Sequence, residues 1–208
     1  MAKGSRARGV ALILLCLAPI SALSQSSSSN QTPPSTIPSH RETYFVLHAA
    51  AGQTVVPLFG DTDKRDNYLA GLSYVKPERF LKTGRKVGDL FQEVYYEHSV
   101  SKGGSGPRGN LPSDYEAVGY LFGDRQNWGI GRYGIYVDLG WGLQYNNHRT
   151  ADLPSRLNST PFLDVGFWIP NHRHPLLVGL RYLHSSNGGT VGSNTGQNQF
   201  FLDVGVKL

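Results

Sequence analysis

At 208 residues the chain has the length for one domain with a sizeable core or a closed barrel, and its single cysteine, Cys16, excludes an internal disulfide. Its 25 glycines and 11% aromatic content favour short strands and turns over helices. The formal charge of +5 is no argument for nucleic acid, because Lys3, Arg6 and Arg8 sit in what reads as a targeting segment.

That segment comes first. "MAKGSRAR" is a positive n-region, "GVALILLCLAPISAL" an apolar h-region, and "ALS" a small-residue cleavage site before Gln25. Residues 1–24 are therefore expected to be a signal peptide; the alternative, a membrane anchor, is short for a bilayer span. Leu15 stands before Cys16 where a lipoprotein signal wants a small residue. Cleavage after Ser24 removes three cations and no acid, which brings the formal charge from +5 to +2. Residues 25–42, with "QSSSSNQTPPSTIPSH", read as a Ser/Pro-rich flexible linker. The folded part is expected over 43–208.

From there on the recurring signal is alternation with period two. Segments 43–51, 67–76, 89–99 and 114–123 show it, and "YGIYVDLGWGLQY" (133–145) shows it most clearly. There Tyr133, Ile135, Val137, Leu139, Trp141, Leu143 and Tyr145 share one face, and Gly134, Tyr136, Asp138, Gly140, Gly142 and Gln144 the other. Thirteen residues of strand span roughly 40 Å, and the apolar face ends in Tyr at both limits, as a lipid-facing strand does at the two interfaces. Segments 160–169, 175–186 and 198–208 complete a set of eight. The polar faces carry Glu93, Glu97, Asp138, Asp164, Arg181, Asp203 and Lys207, charges of both signs that would have to pair inside a narrow lumen. The pattern predicts an all-β fold, an eight-stranded antiparallel transmembrane β-barrel. A soluble lipocalin-type barrel is the alternative, and it would invert the pattern.

An even barrel puts both chain ends at the periplasmic rim. Connections 52–66, 100–113, 146–159 and 187–197 then face outward and are as a group somewhat longer than 77–88, 124–132 and 170–174. If Arg181 points into the lumen, alternation turns His184 and Ser186 outward, and Asn198, two residues before Phe200, shares their face on the next strand. Imidazole and hydroxyl facing lipid make chemical sense when the substrate is itself a lipid. Side chains two apart on a strand lie about 7 Å apart at the backbone, close enough for imidazole to activate a hydroxyl, with a third group holding the ring.

At these residues, "HSSNGG" (184–189) and "NTGQN" (194–198), the sequence resembles the C-terminal motif of the lipid A 3-O-deacylase family, the PagL type, grouped with acyloxyacyl hydrolases. The sharp resemblance covers about 184–198. It implies an outer-membrane barrel that hydrolyses an ester-linked acyl chain of lipid A, with no metal or cofactor. His184 matches the base, Ser186 the nucleophile and Asn187 the oxyanion asparagine; Gly188 and Gly189 match the small pair beside it, whose backbone N–H groups would help hold the oxyanion, and Asn194 and Gly196 match the Asn-x-Gly. The resemblance makes lipid A, or lipopolysaccharide, in the outer membrane of a Gram-negative-type bacterium the partner, with a second copy of the chain in a homodimer left open. One position departs from the pattern. Well-known members carry Glu fourteen residues after the base as the orienting acid, and here that position is Asn198. Asn can hold the ring as in Cys-His-Asn enzymes, without a charge for the imidazolium.

Two other readings stay open at this level. A non-enzymatic barrel could brace the membrane or bind a partner, and a phospholipase could use the same surface with different head-group contacts. Lys102, Arg108, Arg149 and Arg156 are candidates for lipid A phosphates or plain solvated charges. His172 and His174 in "HRHP" lack neighbouring ligands for a metal. His98 falls on the lipid face of its segment.

Overall fold

The computed structural model describes residues 42–54, 64–77, 82–83, 86–102, 114–130, 132–171, 173–192 and 196–208. The signal peptide, the linker up to residue 41, Arg108, His172 and Asn194 lie outside the described residues. Eight long strands build the barrel: β1 Tyr44–Thr54, β2 Arg65–Lys76, β3 Asp89–Ser101, β4 Tyr115–Ile130, β5 Tyr133–Asn146, β6 Phe162–Ile169, β7 Leu176–Ser185 and β8 Gln197–Lys207. Each pairs antiparallel with its chain neighbours, and β8 pairs with β1, so the sheet closes without an edge. Closure is what lets strands cross hydrocarbon, since every backbone group must find a partner within the sheet. No helix occurs among the described residues.

Alternation runs the way a membrane requires. On the outer wall Leu180 is 63% and Leu202 57% exposed, whereas Asp164, Arg181 and Asp203 keep 1% each. This polarity excludes the lipocalin-type alternative, whose apolar side chains point inward. On β5 all seven residues from Tyr133 to Tyr145 at odd positions turn away from the buried set Gly134, Tyr136, Asp138, Gly142 and Gln144.

Eight strands enclose a lumen just wide enough for side chains to fill. The charges there meet across it. Arg181 Nη1 lies 2.6 Å from Glu93 on β3, and Arg181 Nη2 lies 3.1 Å from both Asp164 on β6 and Asp203 on β8. His48 on β1 joins the cluster, 3.0 Å from Glu93 and 3.3 Å from Asp203. Nearer the rim that carries the chain ends, Arg125 grips Asp138 with two bonds of 2.6 and 2.5 Å and stacks over Phe91 and Tyr136. Toward the opposite rim the Tyr115 hydroxyl lies within hydrogen-bond distance of Glu97 and Gln197, and Arg65 bonds Asp152 of the β5–β6 connection. In the same tier Tyr95 lies over Gly119 of β4 and donates to Gln144 on β5 at 2.9 Å. Gly119 has no side chain because a Cβ there would overlap the Tyr95 ring.

Two expectations need correction. Residues 124–130 are not a connection: β4 runs on to Ile130, and Ile130 pairs with Tyr133. "GDRQN" reads as a turn because of its Gly, Asp and Asn, yet Arg125 and Asn127 are lumen residues, with Arg125 bonded to Asp138 and Asn127 accepting from Trp168, while Asp124 is on the outward face, opposite Leu139, and accepts from Gln126. Lys207 is not a lumen charge either. It sits at the rim, bonded to Glu42 at 2.8 Å and lying over the Tyr44 ring. The lumen cations missed in the sequence are Arg65 and Arg125.

Removing one partner of a buried ion cluster leaves the others uncompensated, at a cost of about 3–5 kcal/mol. Arg181→Ala should therefore lower the urea midpoint of the folded barrel, read as the gel-mobility difference between unboiled and boiled samples. An unchanged midpoint would show that the cluster adds nothing to stability.

Candidate active site

Both chain ends leave from one rim, where Leu208 N donates to Phe45 O. His184 and Ser186 are at the other. On β7, Arg181, Leu183 and Ser185 are buried inward, and Ser185 Oγ donates to Gln144 Oε1 at 3.1 Å inside the lumen. Alternation therefore carries Leu180, Tyr182 and His184 outward. On β8, Gln197 and Gln199 bond to lumen partners, so Asn198 between them faces out. The register sets His184 directly opposite Asn198 and Tyr182 opposite Phe200.

His184 Nδ1 lies 2.7 Å from Asn198 Oδ1. An amide oxygen only accepts, so Nδ1 carries the proton and donates, and the ring is fixed with Nε2 as its basic nitrogen. Tyr182 donates its hydroxyl to the same oxygen, also at 2.7 Å, and its ring leans on Phe200 with centroids 5.1 Å apart. Asn198 is fully buried beneath these groups although it is on the outward face. Asp203, the other acid candidate in this part of the chain, is held in the lumen by His48 and Arg181 and does not approach the ring.

Ser186 is fixed by its backbone. Its N–H donates to Ser159 O at 3.1 Å, and its carbonyl accepts from Ser159 N at 2.7 Å. Ser159 belongs to a short strand, Leu157–Ser159, that pairs with β5. This strand continues β6 in the same register: Leu183 faces Phe162, and three residues further on Ser186 faces Ser159. Pro161 has no N–H and interrupts the ladder, but its carbonyl still accepts from His184 N at 3.0 Å. The serine thus sits on a continued sheet, above the last regular pair of β6.

After Ser186 the chain turns through Asn187–Thr190. Thr190 N donates to Asn187 O at 3.2 Å, with Gly188 and Gly189 both at positive φ (62° and 79°), the backbone of a type I′ turn. The Asn187 side chain braces it: Oδ1 accepts from Gly189 N at 2.8 Å, and Nδ2 donates to Val191 O at 2.7 Å. Of the two glycine N–H groups expected to serve an oxyanion, that of Gly189 is directed at Asn187. Gly196, at φ 68°, returns the chain to β8. A Cβ there would lie 2.9 Å from His184 Cε1 and 3.2 Å from Ser186 Cβ, so both side chains border the space this glycine leaves.

The structure thus brings His184, Ser186 and Asn198 to one patch of outer wall at one rim. Tyr182 and the Leu157–Ser159 continuation also belong to it and were not singled out in the sequence. Parity could have found Tyr182, two residues before His184 on the same face. Among the outward cations, Lys102 is paired with Asp66 at 2.6 Å, and Arg149 and Arg156 are exposed. His98 is half-buried on the outward face of β3, and His174 Nδ1 contacts Lys207 O at 3.0 Å.

The sequence profile of one family, described as lipid A 3-O-deacylase (PagL), matches residues 70–207. Among solved structures, the crystal structure of the outer membrane enzyme PagL is similar with a TM-score of 0.60 and 19% identity, covering 77% of this chain and 97% of that one. The crystal structure of Neisserial surface protein A is similar with a TM-score of 0.50 and 16% identity, covering 80% and 96%. At such identities these two likenesses speak for the outer-membrane barrel fold alone. No curated protein matches the chain in sequence. The family profile spans well over half the chain, from β2 to the end of β8, and on that ground the chain belongs to the lipid A 3-O-deacylase (PagL) family of ester hydrolases.

Proposed function

We propose that this barrel removes the 3-position ester-linked acyl chain of lipid A by a Ser186–His184 mechanism, from substrate lying in the outer leaflet against β7 and β8. The observation that carries the reading is the 2.7 Å bond between His184 Nδ1 and Asn198 Oδ1 on the lipid-facing wall. A purely structural barrel has no use for an oriented imidazole there. Ser186 Oγ attacks the ester carbonyl while His184 Nε2 takes its proton. The tetrahedral oxyanion is met by Asn187 Nδ2, which has two N–H groups and gives one to Val191 O, and by the Gly188 N–H at the mouth of the turn. Collapse expels the sugar oxygen, which takes the proton from Nε2. Nε2 then draws a proton from water, water attacks the acyl-serine, and the fatty acid leaves with Ser186 restored. His184, Ser186 and Asn198 all come from one chain, so the chemistry asks nothing of a second copy.

The direct test is mass spectrometry of lipid A from cells expressing the chain, which should show loss of one ester-linked chain at the 3-position. Loss of acyl chains from phospholipid with lipid A untouched would point to the phospholipase reading.

Two variant sets sharpen the assignment. Ser186→Ala and His184→Ala should each lower turnover by roughly 10⁴-fold or more with the barrel still heat-modifiable. Ser185→Ala should change turnover less than about twofold and cost about 1 kcal/mol of stability, because it loses only its bond to Gln144. The reverse pattern would mean that the two serines have exchanged roles.

Asn198→Ala should lower fatty-acid release by about a hundredfold or more, since nothing then selects the Nδ1–H tautomer. Asn198→Glu should match or exceed the parent, because a carboxylate accepts the same bond and also stabilises the imidazolium. Parent-like turnover in Asn198→Ala would remove Asn198 from the site.

A further inference from the structure

We infer that Tyr182 is a positioning residue for this site: its hydroxyl keeps the Asn198 amide turned with the oxygen toward His184, and so keeps the imidazole in the tautomer a general base needs. The inference rests on the Ser186–His184 reading.

A carboxylate offers acceptors whichever way it rotates. An amide does not. Turned by half a revolution, Asn198 would present N–H groups to His184 Nδ1, which could then only accept. The ring proton would have to move to Nε2, the atom that must be bare to take the Ser186 proton. An asparagine in the orienting position therefore needs a second reason to keep its oxygen forward.

Tyr182 supplies one. Two donors converge on Asn198 Oδ1, His184 Nδ1 and the Tyr182 hydroxyl, each at 2.7 Å. Together they fill its two lone pairs. The sheet makes the arrangement possible. Tyr182 faces Phe200 and His184 faces Asn198, so Tyr182 is diagonal to Asn198, within reach of an aromatic side chain. Contact with Phe200, at 5.1 Å and 53° between planes, sets the direction of the phenol ring. Asn198 has no exposed surface, so water does not compete for the oxygen. Rotating the amide would break both bonds at once and leave the phenol, a better donor than acceptor, to accept from Nδ2 in place of donating to Oδ1.

The test uses four purified proteins in detergent with lipid A: the parent, Tyr182→Phe, Asn198→Glu and the double variant. Tyr182→Phe keeps the ring against Phe200 and removes only the hydroxyl. In the parent background it should lower kcat about five- to tenfold with KM nearly unchanged, the size of one lost hydrogen bond. In the Asn198→Glu background the same change should cost less than about twofold, because a carboxylate has no wrong orientation. Nitrogen-15 spectra of labelled histidine should show His184 as Nδ1–H in the parent and as a tautomer mixture in Tyr182→Phe. An equal loss in both backgrounds would assign Tyr182 a general packing role and overturn the inference, as would no loss in the parent or an unchanged tautomer. Ser186→Ala, run alongside, separates the two readings. If it keeps parent turnover, the Ser186–His184 mechanism falls and the inference with it. If it is inactive while Tyr182→Phe runs at the parent rate, only the role given to Tyr182 falls.

Discussion

A guanidinium inside a barrel this narrow needs carboxylates from several strands at once, and Arg181 draws them from three: Glu93 on β3, Asp164 on β6 and Asp203 on β8. Turning β7 over would put Arg181 into hydrocarbon and strand those three acids in the lumen. The cluster therefore fixes which way β7 faces. Because side chains alternate strictly, the same choice sends Tyr182, His184 and Ser186 to the outer wall. The register with β8, pinned by Gly179 facing Asp203 and Leu180 facing Leu202, then delivers Asn198 opposite His184. An electrostatic requirement in the lumen decides the composition of a site on the other side of the wall.

Much of this was legible from alternation alone. The eight segments, the inward acids and the common face of His184, Ser186 and Asn198 all follow from period two, because a half-buried strand leaves few other solutions. Legibility failed where one residue type serves two purposes. Arg125 and Asn127 stand in a turn-like stretch beside Gly123 and Asp124, but a polar lumen wants such residues too, so β4 reads seven residues too short in the sequence. Pro161 reads as the start of a strand, whereas the sheet passes beyond it and resumes at Leu157–Ser159. His48 could not be placed on a face, since β1 has apolar residues on both: Tyr44 and Val46 inward, Phe45 and Leu47 outward. The bond from Tyr182 to Asn198 depends on pairing between strands, which a single strand's pattern does not contain.

In the proposed site, Asn198 in the orienting role leaves no carboxylate among Tyr182, His184, Ser186 and Asn198. In lipid surroundings that is a coherent arrangement. A carboxylate facing the membrane must be stabilised by charge-assisted bonds, whereas an amide, a phenol and an imidazole satisfy one another as neutral partners. What the neutral set gives up is stabilisation of the imidazolium as it forms.

The hold on Ser186 has a consequence for how such a site can change. Its N–H and carbonyl are both engaged by Ser159, so the amide of the proposed nucleophile does not face a developing negative charge, a role that backbone amide fills in the chymotrypsin-type serine proteases. Aim and charge stabilisation are consequently encoded in separate stretches of chain. In the proposed mechanism the sheet from Leu157 to Asn198 aligns the reactive groups, and the turn after Ser186 meets the oxyanion. Drift in the turn can retune the chemical step while the alignment persists, and drift in the sheet does the opposite. A lineage of such barrels can lose speed and keep its architecture, or recover speed through a few residues of one loop.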